Sequence, residues 1–105
     1  MRRLLLAPLL LLPFAAAVPA APGLDGKALF QEKCAMCHAK VGMGTGLLAR
    51  RVQPALLEER TDLTPDFVIQ AARAGIGNMP AIPRGEASDA QLRAIAEYLA
   101  GGKKP

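Results

Sequence analysis

Cys34-Ala35-Met36-Cys37-His38 places two thiols and an imidazole within five residues. Residues three and four apart on a helical turn point the same way, so two such thiols can reach neighbouring vinyl groups of a haem while the imidazole projects toward its iron. The pattern is that of covalent haem attachment, with Cys34 and Cys37 as the bonding thiols and His38 as the ligand on one iron face. Three other readings compete with it. A redox-active Cys-x-x-Cys pair normally sits in a strand-and-helix domain, and no segment here reads as a strand. A structural zinc site needs about four ligands, and the chain has two cysteines and one histidine. An ordinary disulfide suits an oxidising compartment but gives no reason for the single histidine to follow the second cysteine.

The opposite iron face needs a ligand from elsewhere, and no second histidine exists. Methionine sulfur is the natural candidate. Met1 belongs to the leader discussed below, Met36 lies between the cysteines, and Met43 is only five residues past His38. Met79 remains, in Gly75-Ile76-Gly77-Asn78-Met79-Pro80-Ala81-Ile82-Pro83. The glycines of that segment permit unusual backbone angles and its prolines stiffen it, a setting suited to a ligand held against a metal and ill suited to a helix core.

With Cys34-Ala35-Met36-Cys37-His38 near the front, Asn78-Met79-Pro80 two-thirds along and Tyr98 near the end, the chain resembles a small class I bacterial cytochrome c from about Leu24 to Leu99. The resemblance implies an all-α cytochrome c fold, three to five helices wrapped around one covalently bound haem c with an exposed edge. It also implies a backbone carbonyl that accepts a hydrogen bond from the ring of His38. That carbonyl often belongs to a proline in the following loop, but residues 39–47 contain none, so the acceptor is left open. In the family the last helix crosses the first at a small residue; Gly26 and Tyr98 match those positions.

The elements that must position these residues are marked by their ends. A first helix begins at Asp25, whose carboxylate caps it, with Leu24 and Leu29 placed to form a hydrophobic staple; it runs into the attachment motif, with Phe30 on its apolar side. The Gly42, Gly44 and Gly46 run follows no strand and lacks the lysine of a phosphate loop, so it reads as a flexible loop over the haem edge. Pro54 starts a short turn through Glu59. Thr64 caps a third helix with Pro65 in its first position, and Gly75 ends it. Ser88 and Gln91 form a capping box for the last helix, on which Leu92, Ile95, Ala96 and Leu99 recur at helical spacing; Gly101 closes it and opens a loose tail.

The 105 residues leave room for one domain. Arg2 and Arg3, the apolar stretch Leu4 to Phe14 and the small residues after it read as a cleavable signal over residues 1–20, cut after Ala17 or Ala20. The stretch is interrupted by Pro8 and Pro13 and is shorter than the ~20 apolar residues of a membrane span, so no span is expected after cleavage. The domain then covers residues 21–105, and the expected compartment is the periplasm. The formal charge of +4 loses Arg2 and Arg3, leaving 11 basic and 9 acidic residues, a net +2 that two haem propionates would offset. The basic pairs Arg50-Arg51 and Lys103-Lys104 carry no interleaved aromatics, which argues against nucleic acid.

With both axial positions filled by protein, the iron has no site for substrate, and one-electron transfer rather than enzymatic turnover is the expected work. Leu47, Leu48, Phe67, Ile76 and Ile82 are candidate haem-lining residues. The loop around Met79 resembles those of cytochrome subunits that accept electrons from periplasmic flavoprotein or quinoprotein dehydrogenases, which implies such a redox partner. The alternative is a haem-based ligand sensor or peroxidase-like protein with a displaceable Met79, in which Arg73 or Arg84 would stand in for a distal acid or base. An interaction module with disulfide-bonded cysteines is the third reading.

Overall fold

The structure, a computed structural model, describes residue 5, residues 7–13 and residues 23–101. The expected signal cleavage positions and the tail beyond Gly101 lie outside the described residues. Among the described residues five α-helices form, α1 (Gly26–Lys33), α2 (Ala35–His38), α3 (Met43–Leu48), α4 (Pro65–Ala74) and α5 (Asp89–Ala100), with a 3₁₀ turn at Leu57–Glu59. The fold is all-α, and the described residues contain no strand, only the isolated bridge Ile76–Met79. Among them no helix is long and apolar enough to cross a membrane.

Local chemistry sets the helix ends. Asp25 Oδ1 accepts from the amides of Lys27 and Ala28 at 3.0 and 3.2 Å, satisfying two donors that a helix start leaves unpaired. Leu29 is buried, whereas Leu24 stays 39% exposed, so the expected staple contributes only one of its two side chains to the core. Thr64 Oγ1 accepts from the Phe67 amide at 3.2 Å behind Pro65. The capping box of α5 is complete: Gln91 N–H donates to Ser88 Oγ at 3.1 Å, and Ser88 N–H donates to Gln91 Oε1 at 3.0 Å. Gly75 ends α4 with φ of 76°, a left-handed backbone that glycine adopts without steric cost. Pro54 does not begin a helical turn; the 3₁₀ turn starts three residues later, at Leu57.

The core is where α1, α4 and α5 meet. Leu29 and Phe30 of α1, Leu63, and Ile95 and Leu99 of α5 form one buried cluster. The helices α1 and α5 cross at Gly26, where an added Cβ would stand 2.2 Å from the Ala94 carbonyl oxygen and 2.8 Å from Tyr98 Cβ. Glycine is thus required at the contact because the two backbones nearly touch. Phe30 and Tyr98 pack beside it with ring centroids 6.0 Å apart. Gly26→Ala is expected to cost about 3 kcal/mol or to prevent folding, because the atom in the way is backbone and cannot swing aside; a thermal melt within about 0.5 kcal/mol of the parent would contradict this contact.

Tyr98 also ties α5 to the 3₁₀ turn, its hydroxyl donating to Glu58 Oε2. Burial, and then the bond to the Glu58 carboxylate, push the phenol from its usual value of 10 to about 12. Because Tyr98 is the chain's single tyrosine, its ultraviolet titration has one component, expected to centre near pH 12. The folded state keeps its proton longer than the unfolded one. The stability linked to Tyr98 is therefore fully present below pH 10 and is lost as pH rises through about 12. A phenolate titrating at the unperturbed value would contradict the bond.

Candidate functional site

α1 does not pass smoothly into the motif. It stops at Cys34, whose φ of −122° breaks the helix, and α2 restarts as a single turn carrying Cys37 and His38. The amides of Cys37 and His38 both donate to the Cys34 carbonyl, at 3.2 and 3.0 Å, so the two thiols and the imidazole belong to one hydrogen-bonded turn. Both cysteines are half-buried, and they do not form a disulfide with each other. Burial raises the Cys34 thiol, with Lys33 opposing. Burial lowers the His38 imidazole below its ordinary value, toward the neutral form in which a ring nitrogen coordinates metal.

The segment after His38 is not a flexible loop. Residues Met43–Leu48 form α3, and the glycines let its start press against the attachment turn. A Cβ on Gly42 would stand 2.2 Å from the Cys37 carbonyl oxygen, and one on Gly44 would stand 2.8 Å from the same oxygen and 3.2 Å from His38 Cε1. Thr45 Oγ1 donates to the Ala39 carbonyl at 2.7 Å and Gly42 N–H donates to it at 3.0 Å. Both lone pairs of that carbonyl are then engaged. His38 Nδ1 is buried with no hydrogen-bond partner among the described residues, so the orienting carbonyl implied by the resemblance is not found, and the Ala39 carbonyl that follows the ring in the chain is taken by Thr45 and Gly42.

Met79 stands on a different element, the segment from Gly75 to Ala87 that joins α4 to α5. Ile76 N–H donates to the Met79 carbonyl at 3.1 Å and Met79 N–H returns a bond to Ile76 at 2.9 Å, closing a tight turn through Gly77, whose φ is 56°. A Cβ at Gly75 would stand 2.8 Å from the Met79 carbonyl oxygen. Met79 itself is half-buried. The structure therefore groups Cys34, Cys37 and His38 on one turn and carries Met79 on a separate, hydrogen-bonded strap.

These residues fit a haem better than a bare metal. Among the described residues no three His, Cys, Asp or Glu side chains converge to hold an ion. Leu47, Leu48, Phe67, Ile76 and Ile82, read from sequence as lining residues, all lie outside the buried core, and Phe67 and Ile76 are more than half exposed. They sit on α3, which packs against the turn carrying His38, on α4, and on the strap that carries Met79. The imidazole, its Nδ1 buried without a hydrogen bond, and the two thiols outside any disulfide supply the covalent and axial chemistry a haem requires.

The family model described as cytochrome c oxidase, cbb3-type, subunit III, matches residues 21–99. The chain belongs to this family of c-type cytochrome domains. The cytochrome therefore carries covalently bound haem c and is an electron-transfer protein rather than an enzyme. Among solved structures it is similar to a chain in the crystal structure of p-cresol methylhydroxylase with substrate bound. The two share 30% identity, with a TM-score of 0.55 over 76% of this chain and 95% of that one. No curated protein matches the cytochrome.

Several residues that shape the site escape a reading of the sequence. Gly42 and Gly44 act through contact with Cys37. Lys33 Nζ donates to the Glu86 carbonyl at 2.8 Å, tying the end of α1 to the strap 53 residues away. Arg73 and Arg84, considered as distal groups, both bond Asp89 instead.

Proposed function

We propose that this cytochrome is a periplasmic one-electron carrier whose haem iron is ligated by His38 and Met79, with Cys34 and Cys37 as the thioether donors, and that its donor is a flavoprotein dehydrogenase. The observation that supports the ligand assignment best is the strap. A methionine in a two-residue turn, held by reciprocal backbone bonds and by a glycine that tolerates its close approach, is positioned by the backbone rather than by core packing. Haem c supplies a reversible ferric–ferrous couple, and a thioether ligand favours the ferrous form relative to a second imidazole. The protein's part is to present the imidazole on its hydrogen-bonded turn and to fix the thioether.

The dehydrogenase partner rests on the likeness to a chain in the structure of p-cresol methylhydroxylase. Export rests on the leader pattern of residues 1–20. Both are tested on native protein. Mature chains from a periplasmic extract should begin at about residue 18 or 21, and a flavin-containing protein should co-purify and reduce the cytochrome on addition of its substrate. A haem-loaded chain confined to the cytoplasm would overturn the location, and a periplasmic cytochrome reduced only by flavin-free proteins would overturn the partner.

Nothing in the site favours the sensor or peroxidase-like alternative. Arg73 is committed to Asp89 and to the Ile82 carbonyl, and Arg84 to Asp89. Carbon monoxide binding within the mixing time of a stopped-flow instrument would reverse this preference.

A further inference from the structure

Arg73 lies in the last turn of α4, two residues before the glycine that releases the strap. Its side chain is only 18% exposed and is spent on two partners. Nη1 donates to the Ile82 carbonyl at 3.0 Å, and Nη2 donates to Asp89 Oδ1 at 2.8 Å. Asp89 is the first residue of α5, and Arg84 reaches the same carboxylate at 3.1 and 3.2 Å. Ile82 is gripped twice over, because its N–H also donates to the Ala72 carbonyl at 2.7 Å. The strap leaves α4 at Gly75, whose N–H bonds the Ala71 carbonyl, and returns to the same end of α4 at Ile82. Met79 sits inside a loop closed at its base.

We propose that Arg73 is the positioning residue for the axial ligand Met79: it clasps the returning arm of the strap to α4 and to α5, and so sets how readily the sulfur leaves the iron. This rests on the reading of Met79 as ligand. A charge-assisted bond to a carbonyl holds more strongly than a neutral one, and Arg73 makes one while a carboxylate fixes the guanidinium from the other side. The fork geometry matters, since a single ammonium cannot span both partners as a planar guanidinium does. Removing the clasp leaves the Ile76–Met79 turn and the Ile82–Ala72 bond intact but loosens the arm behind Met79.

The test follows displacement of Met79 by imidazole in the ferric holoprotein, a ligand substitution with no change of oxidation state, read by loss of the near-infrared band of iron–sulfur ligation. Arg73→Gln is expected to speed imidazole entry about tenfold, the equivalent of a lost hydrogen bond to a charged group. Amide hydrogen exchange of residues 76–82 should quicken with it. Arg73→Lys should restore part of the protection, and Asp89→Asn should reproduce a smaller acceleration without touching the Ile82 bond. Arg93→Gln removes an exposed arginine that pairs with Asp66 at the far end of α4, and should leave the imidazole rate unchanged.

Parental imidazole rates in both Arg73→Gln and Asp89→Asn, with the band present in the parent and lost in Met79→Ala, would overturn the clasp while leaving the ligand reading intact. If Arg73→Gln fails to fold, Asp89→Asn decides in the same way. A parent protein without the band would overturn both.

Discussion

Replacing Cys34 and Cys37 together with alanine should abolish covalent haem and, with it, the folded domain. The expected result in a host with a working attachment system is no c-type signal in the alkaline pyridine spectrum and helical circular dichroism reduced to a fraction of the parent's. The reason is the small core. One cluster of five residues, Leu29, Phe30, Leu63, Ile95 and Leu99, anchors the packing of the helices. A domain of about 80 residues buries only about 60% of the surface its unfolded chain exposes, and so relies on a bound group for much of its stability. Leu47, Leu48, Phe67, Ile76 and Ile82 lie outside that cluster and gain burial only against something other than the core. A double variant retaining the parental helix signal would show that the α1–α5 crossing suffices alone.

Two glycines four residues apart should respond to the same substitution with opposite signs. Gly42→Ala forces a methyl to within 2.2 Å of the Cys37 carbonyl oxygen, so the attachment turn or the start of α3 must shift. The expected cost is about 3 kcal/mol, a fall in Tm of roughly 15 °C, with a lower yield of covalently loaded protein. Gly46 lies inside α3 with nothing within 4 Å of an added Cβ. Gly46→Ala should raise stability by about 0.5–1 kcal/mol, through better helix propensity and a less flexible unfolded chain. Equal effects at both positions would mean that the glycines serve flexibility, as their clustering in the sequence suggests, and not close approach.

That contrast shows what a sequence reveals and what it conceals. The helices α4 and α5 were legible to the residue at their starts because capping is local: Thr64 before Pro65, and Ser88 three residues before Gln91, act on amides within one turn. The attachment turn was legible because its chemistry demands a fixed spacing. The role of Gly42 was not, since its constraint is the carbonyl of a residue on another helix, and a glycine-rich run looks identical whether it is mobile or tightly packed. Pro54 was misplaced as a helix start because a favourable first-position residue does not by itself supply a cap. Long-range bonds leave no local trace: the partner of Lys33 is 53 residues away, and that of Tyr98 is 40. The crossing at Gly26 and Tyr98 was anticipated through resemblance to a family, and the structure supplies its physical cause.

The same distinction applies to the imidazole. An orienting carbonyl for His38 follows from the family likeness, yet the loop lacks the proline that would offer one, and Ala39 gives its carbonyl to Thr45 and Gly42. Gly44 instead leaves room beside the ring, since a Cβ there would stand 3.2 Å from His38 Cε1.

The measurement that bears most directly on the ligand assignment is the absorption spectrum of the purified holoprotein, oxidised and reduced, compared with that of Met79→Ala. A c-type reduced spectrum in both proteins is expected, with the weak near-infrared band of iron–sulfur ligation present in the ferric parent and absent from the variant. A parent without that band, or a variant that keeps it, would contradict the assignment of Met79 to the iron.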